Sequence, residues 1–374
     1  MENKVGLNDG ENSANVKTTK SILDFTQEGI NLPIPKELTE IVISKYKDTQ
    51  GIPEVIGEEV LRKAVARIFQ NKYFSSFDYR HEIIINTGLS AAIYTILLST
   101  VKEGNEVVIF EPYPYNLSEI VRFTGARAVY IPLKESDSGI DWQEVQRAIG
   151  PSTKLIVIQN PHPITGRVLT PDDFENLQKL INGTRIKVIC DESLSETIFS
   201  EETTSGIAFF PKLLSSTFIV GSFAQKIGFA GWDMGFCIAP EEQMESYLRV
   251  HRILNSPVSK PLQLALAEYF DASNPIFKHL ELLKNNSKLV FDMLSASKFK
   301  VQMPQAGCHV TIDYSDASEL KDVEFVSLLE SNYGVMLAPV SQFYHDRQCH
   351  KRLIMNIAHP TQVIEKALKK LAKV

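Results

Sequence analysis

No two cysteines in this chain lie close enough to form a redox or metal motif. The four, Cys190, Cys237, Cys308 and Cys349, are widely spaced without a C-x-x-C pair, and two sit in apolar, strand-like runs, so they read as buried free thiols. A basic excess is also missing: 39 basic residues stand against 45 acidic ones, for a net charge of -6, and no Lys/Arg stripe interleaves with aromatics. Nucleic acid is therefore not an expected partner. No apolar run approaches the roughly 20 residues that span a bilayer, and the polar N-terminus has no apolar signal core, which predicts a cytoplasmic protein with no membrane partner. Neither a G-x-G-x-x-G after the first predicted strand nor a P-loop is present, which argues against the common nucleotide-binding designs.

What the chain does have is a 44% apolar composition over 374 residues, enough for a large core. Residues 1–19 are polar and cannot offset their own ordering entropy, so a disordered tail is predicted there. From about residue 55, helix-length segments alternate with Val- and Ile-rich runs near 83–88, 106–110, 128–133, 154–159, 186–191, 217–222 and 236–240. Nearly continuous apolar strands between helices imply a doubly wound, mostly parallel α/β sheet of seven strands, covered on both faces. The gap between the last two runs is too short for a helical crossover, so the last strand should be antiparallel. Beyond Pro257 the pattern changes to long helices and three alternating runs, "KFKVQM", "HVTIDY" and "RLIMNIA". The expected organisation is a large domain over 53–256 and a smaller α+β domain over 257–374, joined by an N-terminal segment over 20–52.

In open sheets of this kind ligands gather beyond the carboxyl ends of the strands. The segments there read "GNEVVIFEPYPYNLSEIVRFTGARAVYIPL", "NPHPITGRVLT", "DESLSETIF" and "SFAQKIGFAGWDMGF". In order and spacing they resemble the class I/II aminotransferases, fold-type I enzymes that use pyridoxal 5'-phosphate (PLP), and the likeness runs from about residue 30 to the end. The resemblance implies a homodimer with sites at the subunit interface. It also implies site positions: Asp191 against the pyridine nitrogen, Ser90 and Ser222 near the phosphate, Asn160 in the pocket loop, Tyr113 or Tyr115 stacked on the ring, and Tyr46 reaching across the dimer. Simpler roles compete with each. A serine at a strand end often caps a helix, a tyrosine often packs an interface, and an Asp at a strand end can hold backbone amides.

At the most telling positions the resemblance breaks. The Schiff-base lysine of S-x-x-K-x-x-G-x-x-G falls on Gln225, whose amide cannot form an imine. Lys226 is next to it, but on an extended segment it should point the other way. The phosphate-binding arginine falls on Asp233, a reversal worth on the order of 4 kcal/mol per contact at ~4 Å and an effective dielectric constant near 20. The amide facing the cofactor's phenolic oxygen has become Pro163, the expected aromatic is Leu194, and the carboxylate-binding arginine is Ile354, with Arg352 one register slip away.

From these replacements the sequence predicts a divergent member with a rebuilt pocket. It would be an aminotransferase-like enzyme acting on a neutral or cationic amino-acid derivative, with no covalent PLP and no transamination. Asp191 and Asp233 would form either an acid/base pair, one carboxyl having a raised pKa, or a static pair holding an amine or guanidinium, and His162, ending a strand, could transfer a proton. Two alternatives stay open: a PLP enzyme using Lys226 or noncovalent cofactor, and a non-catalytic binding protein. The run "FYHDRQCHKR" puts His345, Cys349 and His350 at metal-ligand spacing, but no fourth ligand is evident and no metal is expected.

Overall fold

A computed structural model describes residues 22–114, 117–200, 205–271 and 279–374. The tail expected over 1–19 and the candidate Tyr115 lie outside these residues. In chain order the strands are β1 (Leu23–Asp24), β2 (Ile83–Asn86), β3 (Glu106–Glu111), β4 (Arg127–Pro132), β5 (Thr153–Gln159), β6 (Lys187–Asp191), β7 (Thr217–Ser222), β8 (Gly235–Ile238), β9 (Lys300–Gln302), β10 (His309–Asp313), β11 (Val335–Met336), β12 (Ala338–Pro339) and β13 (Arg352–Asn356).

The Val- and Ile-rich runs form one seven-stranded sheet in the order β2-β8-β7-β6-β5-β3-β4. Its neighbours from β7 to β4 pair in parallel, while β8 is antiparallel to both β7 and β2. The predicted sheet and its antiparallel strand are therefore present. Unbroken apolar runs suit these strands because helices cover both faces: Leu155–Ile158 and Val188–Cys190 are buried throughout. Strand order reverses between β3 and β5, so the loops after β3, β5, β6 and β7 converge on one crevice.

A second, antiparallel sheet, β12-β13-β10-β9, carries the helices His279–Leu294 and Thr361–Leu371. Its core holds Val310, Met355, Leu283 and Leu368 together with Phe25 and Ile30 from the N-terminal segment. Short β1 adds to the same unit by pairing in parallel with β11.

The division between the two cores differs from the one predicted. Leu38, on the helix Lys36–Asp48, and Leu266 and Phe270, on the helix Lys260–Asp271, belong to the core of the large sheet. The N-terminal segment is thus split: residues around 23–30 serve the small unit, and the helix that follows serves the large one. Sequence position could not reveal this, because each helix has an apolar face but carries no record of which sheet covers it.

If Leu38 is a core residue of the large unit, Leu38→Ala should lower its stability by about 2–5 kcal/mol. Urea denaturation followed by tryptophan fluorescence would read this, since Trp142 and Trp232 both pack against that core. An unchanged midpoint would place the helix outside it.

Candidate active site

The loop after β7 is a five-residue helix, Phe223–Ile227, and not the extended segment predicted. Ser222 caps it, its hydroxyl accepting from the Gln225 amide at 3.4 Å, and Gly228 ends it in a left-handed turn. Successive residues of a helix point about 100° apart, and this decides where the two neighbours face. Gln225 turns toward a cavity of about 240 Å³ at the carboxyl ends of β5 and β6, whose wall also includes Asp191, Leu194, Pro163 and His309. Its Oε1 accepts from the Ile30 amide at 2.9 Å. Gly29, at φ +79°, lies so close that a Cβ there would come within 2.3 Å of the Gln225 amide nitrogen.

Lys226 faces away from the cavity. It is buried, with Nζ 3.0 Å from Ser195 Oγ and 3.2 Å from Glu196 Oε1. Lys72 reaches the other oxygen of the same carboxylate at 3.1 Å. Although burial alone would raise the pKa of Glu196, the two ammonium groups outweigh it and hold the carboxyl at about 2. Lys226 is therefore the buried member of an ion cluster beside the pocket; it points away as expected, though from a helical turn and not an extended segment, and it does not reach the cavity as the alternative that uses it would require.

Asp191 ends β6 with its carboxylate on the cavity. The amide and hydroxyl of Ser193 donate to Oδ1 at 2.9 and 2.6 Å. Burial pushes the Asp191 pKa up, while these bonds and the charge of Lys226 oppose the rise. Asp233 lies elsewhere. It is exposed and does not line this cavity; it packs on Gly88, which heads the helix Leu89–Thr100, so closely that a Cβ on Gly88 would overlap the carboxylate. Partial desolvation raises its pKa, with no contribution from Asp191. The expected acid/base pair is thus not assembled; Asp233 instead puts a negative charge where the helix end favours one.

Other candidates take structural places. His162 is buried, accepts from the Ile164 and Thr165 amides through Nδ1 at 3.3 and 3.2 Å, and is held neutral by burial with a pKa of about 4. It organises its own turn and does not line the cavity. Asn160 is buried, accepting from the Leu169 amide and donating to Ser205 Oγ. Tyr113 is buried beside the 340s loop, where its amide donates to the Phe343 carbonyl. Ser90 is exposed in the first turn of the helix Leu89–Thr100, and Tyr46 is exposed on the helix Lys36–Asp48. Ile354 is buried opposite Thr311, while Arg352 pairs with Asp313 and reaches the Glu135 carbonyl, so no register slip occurs. His345 is tied to Glu111, Cys349 to the Asp322 amide and His350 to Glu135, three separate engagements.

Residues missed by sequence reasoning are His309, Cys308, Glu28 and Gly29, which complete the cavity wall. His309 and Cys308 sit at the start of β10, and Glu28 and Gly29 in the N-terminal segment. Their signal was faint, since a His at the edge of an apolar run normally reads as core.

The family implied by the sequence uses PLP, and the site fits that group unevenly. Asp191 suits a protonated ring nitrogen. Gln225 offers no amine, and Asp233, which the resemblance puts at the phosphate contact, would offer a carboxylate there and no positive charge.

Residues 2–371 match the family profile Aminotransferase class I and II. Methionine aminotransferase of Escherichia coli is 27% identical over 316 residues, covering 84% of this chain and 82% of the relative. Human kynurenine–oxoglutarate transaminase 3 is 25% identical over 342 residues, covering 83% and 74%. Among solved structures, an E. coli protein with methionine aminotransferase function superposes with a TM-score of 0.91 at 25% identity, covering 94% of each chain. N-succinyldiaminopimelate aminotransferase of Mycobacterium tuberculosis, at 22% identity and a TM-score of 0.88 over 94% of this chain and 93% of that one, shares the fold. These relatives overturn the expectation of a PLP-independent enzyme that is not a transaminase. Replaced side chains reveal which contacts are lost, but they do not by themselves name a different reaction.

Glu196→Gln should leave the buried Lys226 ammonium and the half-buried Lys72 ammonium without their direct ion-pair partner and cost about 3 kcal/mol. The depressed Glu196 pKa makes its contribution fully present above its ordinary value of 4.5 and lost as pH falls toward 2. Thermal melts of wild type and variant across that window should converge at the acid end; a constant gap would refute the assignment.

Proposed function

Since the chain belongs to the class I and II aminotransferases, a family of PLP-dependent enzymes, we propose that it is an amino-acid transaminase whose vitamin B6 cofactor, pyridoxal or pyridoxamine phosphate, binds without a covalent bond to the protein. The observation that carries this reading is the pairing in one cavity of the Asp191 carboxylate with a hydrogen-bonded Gln225 amide, while the neighbouring amine of Lys226 is committed to Glu196. The bound cofactor supplies the electron sink of amino-group chemistry. Asp191 would hold a proton on the ring nitrogen, and the walls formed by Leu194 and Pro163 would keep water from the ring. Asp233, packed on Gly88 outside the cavity, would offer a phosphate group no positive contact, which favours loose and exchangeable binding. The relatives named for methionine and kynurenine support an amino acid as substrate.

The test is titration of purified protein with PLP and pyridoxamine phosphate, followed by borohydride reduction, peptide mapping and an amino-acid transamination assay. The expected result is saturable binding and cofactor-dependent turnover, with no pyridoxyl group at Lys226. The double variant Gln225→Lys/Asp233→Arg should bind PLP at least about tenfold more tightly and become reducible at residue 225, since one recovered charge contact alone is worth a factor of ten or more. A reducible adduct on Lys226 in the wild type, or absence of any binding and turnover, would refute the proposal; the latter would favour a binding protein.

The proposed enzyme is a homodimer. Support comes from exposed apolar residues along and after the helix Lys36–Asp48 and at the end of the helix Glu241–Leu254: Tyr46 is 57% exposed, Ile52 88% and Ile253 83%. Light scattering at micromolar concentration should give twice the chain mass of 42.0 kDa. Ile253→Asp should shift the equilibrium toward monomer. A monomeric wild type would remove Tyr46 from any role in a partner's site.

A further inference from the structure

His309 opens β10 with its ring against the cavity, 6% exposed. Its Nδ1 lies 2.9 Å from the Pro163 carbonyl oxygen and its Nε2 3.1 Å from the Gln27 carbonyl oxygen. Carbonyl oxygens only accept, and a neutral imidazole has a single N–H. One tautomer would satisfy Pro163 and strand Nε2 against a lone pair; the other would do the reverse. Both contacts are hydrogen bonds only if both nitrogens carry protons. Such a ring is an imidazolium, and among the described residues lining the cavity it is the one group that can carry a positive charge.

We propose that His309 is the fixed cation of this cavity and its specificity-determining residue, selecting small molecules that bear a carboxylate, an amino acid over the corresponding amide or amine. The inference deepens the reading of the cavity as a substrate site and rests on it. It also revises the preference for neutral or cationic ligands expected from the sequence, because His309 faces the pocket.

The surroundings are consistent with the charge. Burial alone would lower the pKa of His309, but the adjacent Cys308 sulfur, 3.7 Å from Nδ1, and the two carbonyls more than offset it and hold the value at about 9. The charged or titratable groups facing it are Cys308 on its own strand, Glu28 on the N-terminal segment and Asp191 across the cavity; His162, in the loop that carries Pro163, is neutral. Asn356 strengthens the arrangement from β13 by donating to the Gln27 and Gly29 carbonyls at 2.8 and 2.7 Å. His309 is thus held in place by two chain segments, and its charge acts on a ligand through a water-poor wall where Coulombic attraction is strong.

The experiment uses full-length, cofactor-free protein and three probes: L-methionine, L-methioninamide and the decarboxylated amine. Side-chain ¹⁵N NMR near neutral pH, with His309 assigned by comparison with His309→Gln, should show both ring nitrogens protonated. Calorimetry should show methionine binding at least about tenfold more tightly than either analogue. His309→Gln should abolish that preference, and His309→Lys, which keeps a cation, should restore it. Should both variants fail to fold, the wild type still decides: the preference should hold at neutral pH and disappear as pH rises through about 9, because the raised pKa keeps the charge below that value. A singly protonated His309 at neutral pH, or equal occupancy by the probes, including none by any, overturns the proposal. Neither readout depends on the cofactor or on turnover, so failure of transamination alone would count against the proposed function and not against His309.

Discussion

The hydrogen bond from the Ile30 amide to the Gln225 side chain joins the two units of this fold at the point where the cavity forms. Ile30 belongs to the core of the small sheet, and Gln225 rides on the helix that follows a central strand of the large one. With Leu32 donating to the Gly228 carbonyl, and with Asn356 and His309 engaging the carbonyls of residues 27 and 29, the N-terminal segment becomes a wall of the pocket. Gly29 permits the contact, since any larger residue would collide with the amide. An uncharged, well-partnered side chain therefore stands at this wall of the cavity.

Electrostatics divide into two compartments on either side of the helix Phe223–Ile227. On one side the buried Lys226 and the half-buried Lys72 and Glu196 share charge in a cluster; Glu192, which is buried, accepts from the Ile207 amide nearby. On the other side Asp191, Glu28 and His309 face the cavity. A lysine taken out of water is costly unless paired, and Glu196 supplies that pairing to both lysines. Lys226 is stabilised by remaining where it is, turned away from the cavity.

Asp233 shows how a carboxylate can be accommodated at the head of a helix. Helix N-termini favour a negative charge, and at Gly88 the chain supplies one of its own. The helix and the turn that bring Gly88 and Asp233 together serve folding with either an external phosphate or an internal carboxylate.

Much of this was legible in the sequence. The run of Val and Ile in β3, β5, β6 and β7 is enough to imply a two-sided sheet, the short gap before β8 implies an antiparallel strand, and the order and spacing of the loop motifs point to the family. These are local or near-local signals, set by backbone hydrogen bonding and side-chain polarity. Which sheet the helix Lys36–Asp48 covers, which way Lys226 points, that Asp191 and Asp233 stay apart, and that His309 meets two carbonyls were decided by tertiary structure alone. Each depends on partners far away in the chain: Glu196 lies 30 residues from Lys226, and Gln27 lies 282 from His309. A sequence records the donor or the charge, but only packing brings it the acceptor or counter-charge that determines whether it serves the fold or the ligand.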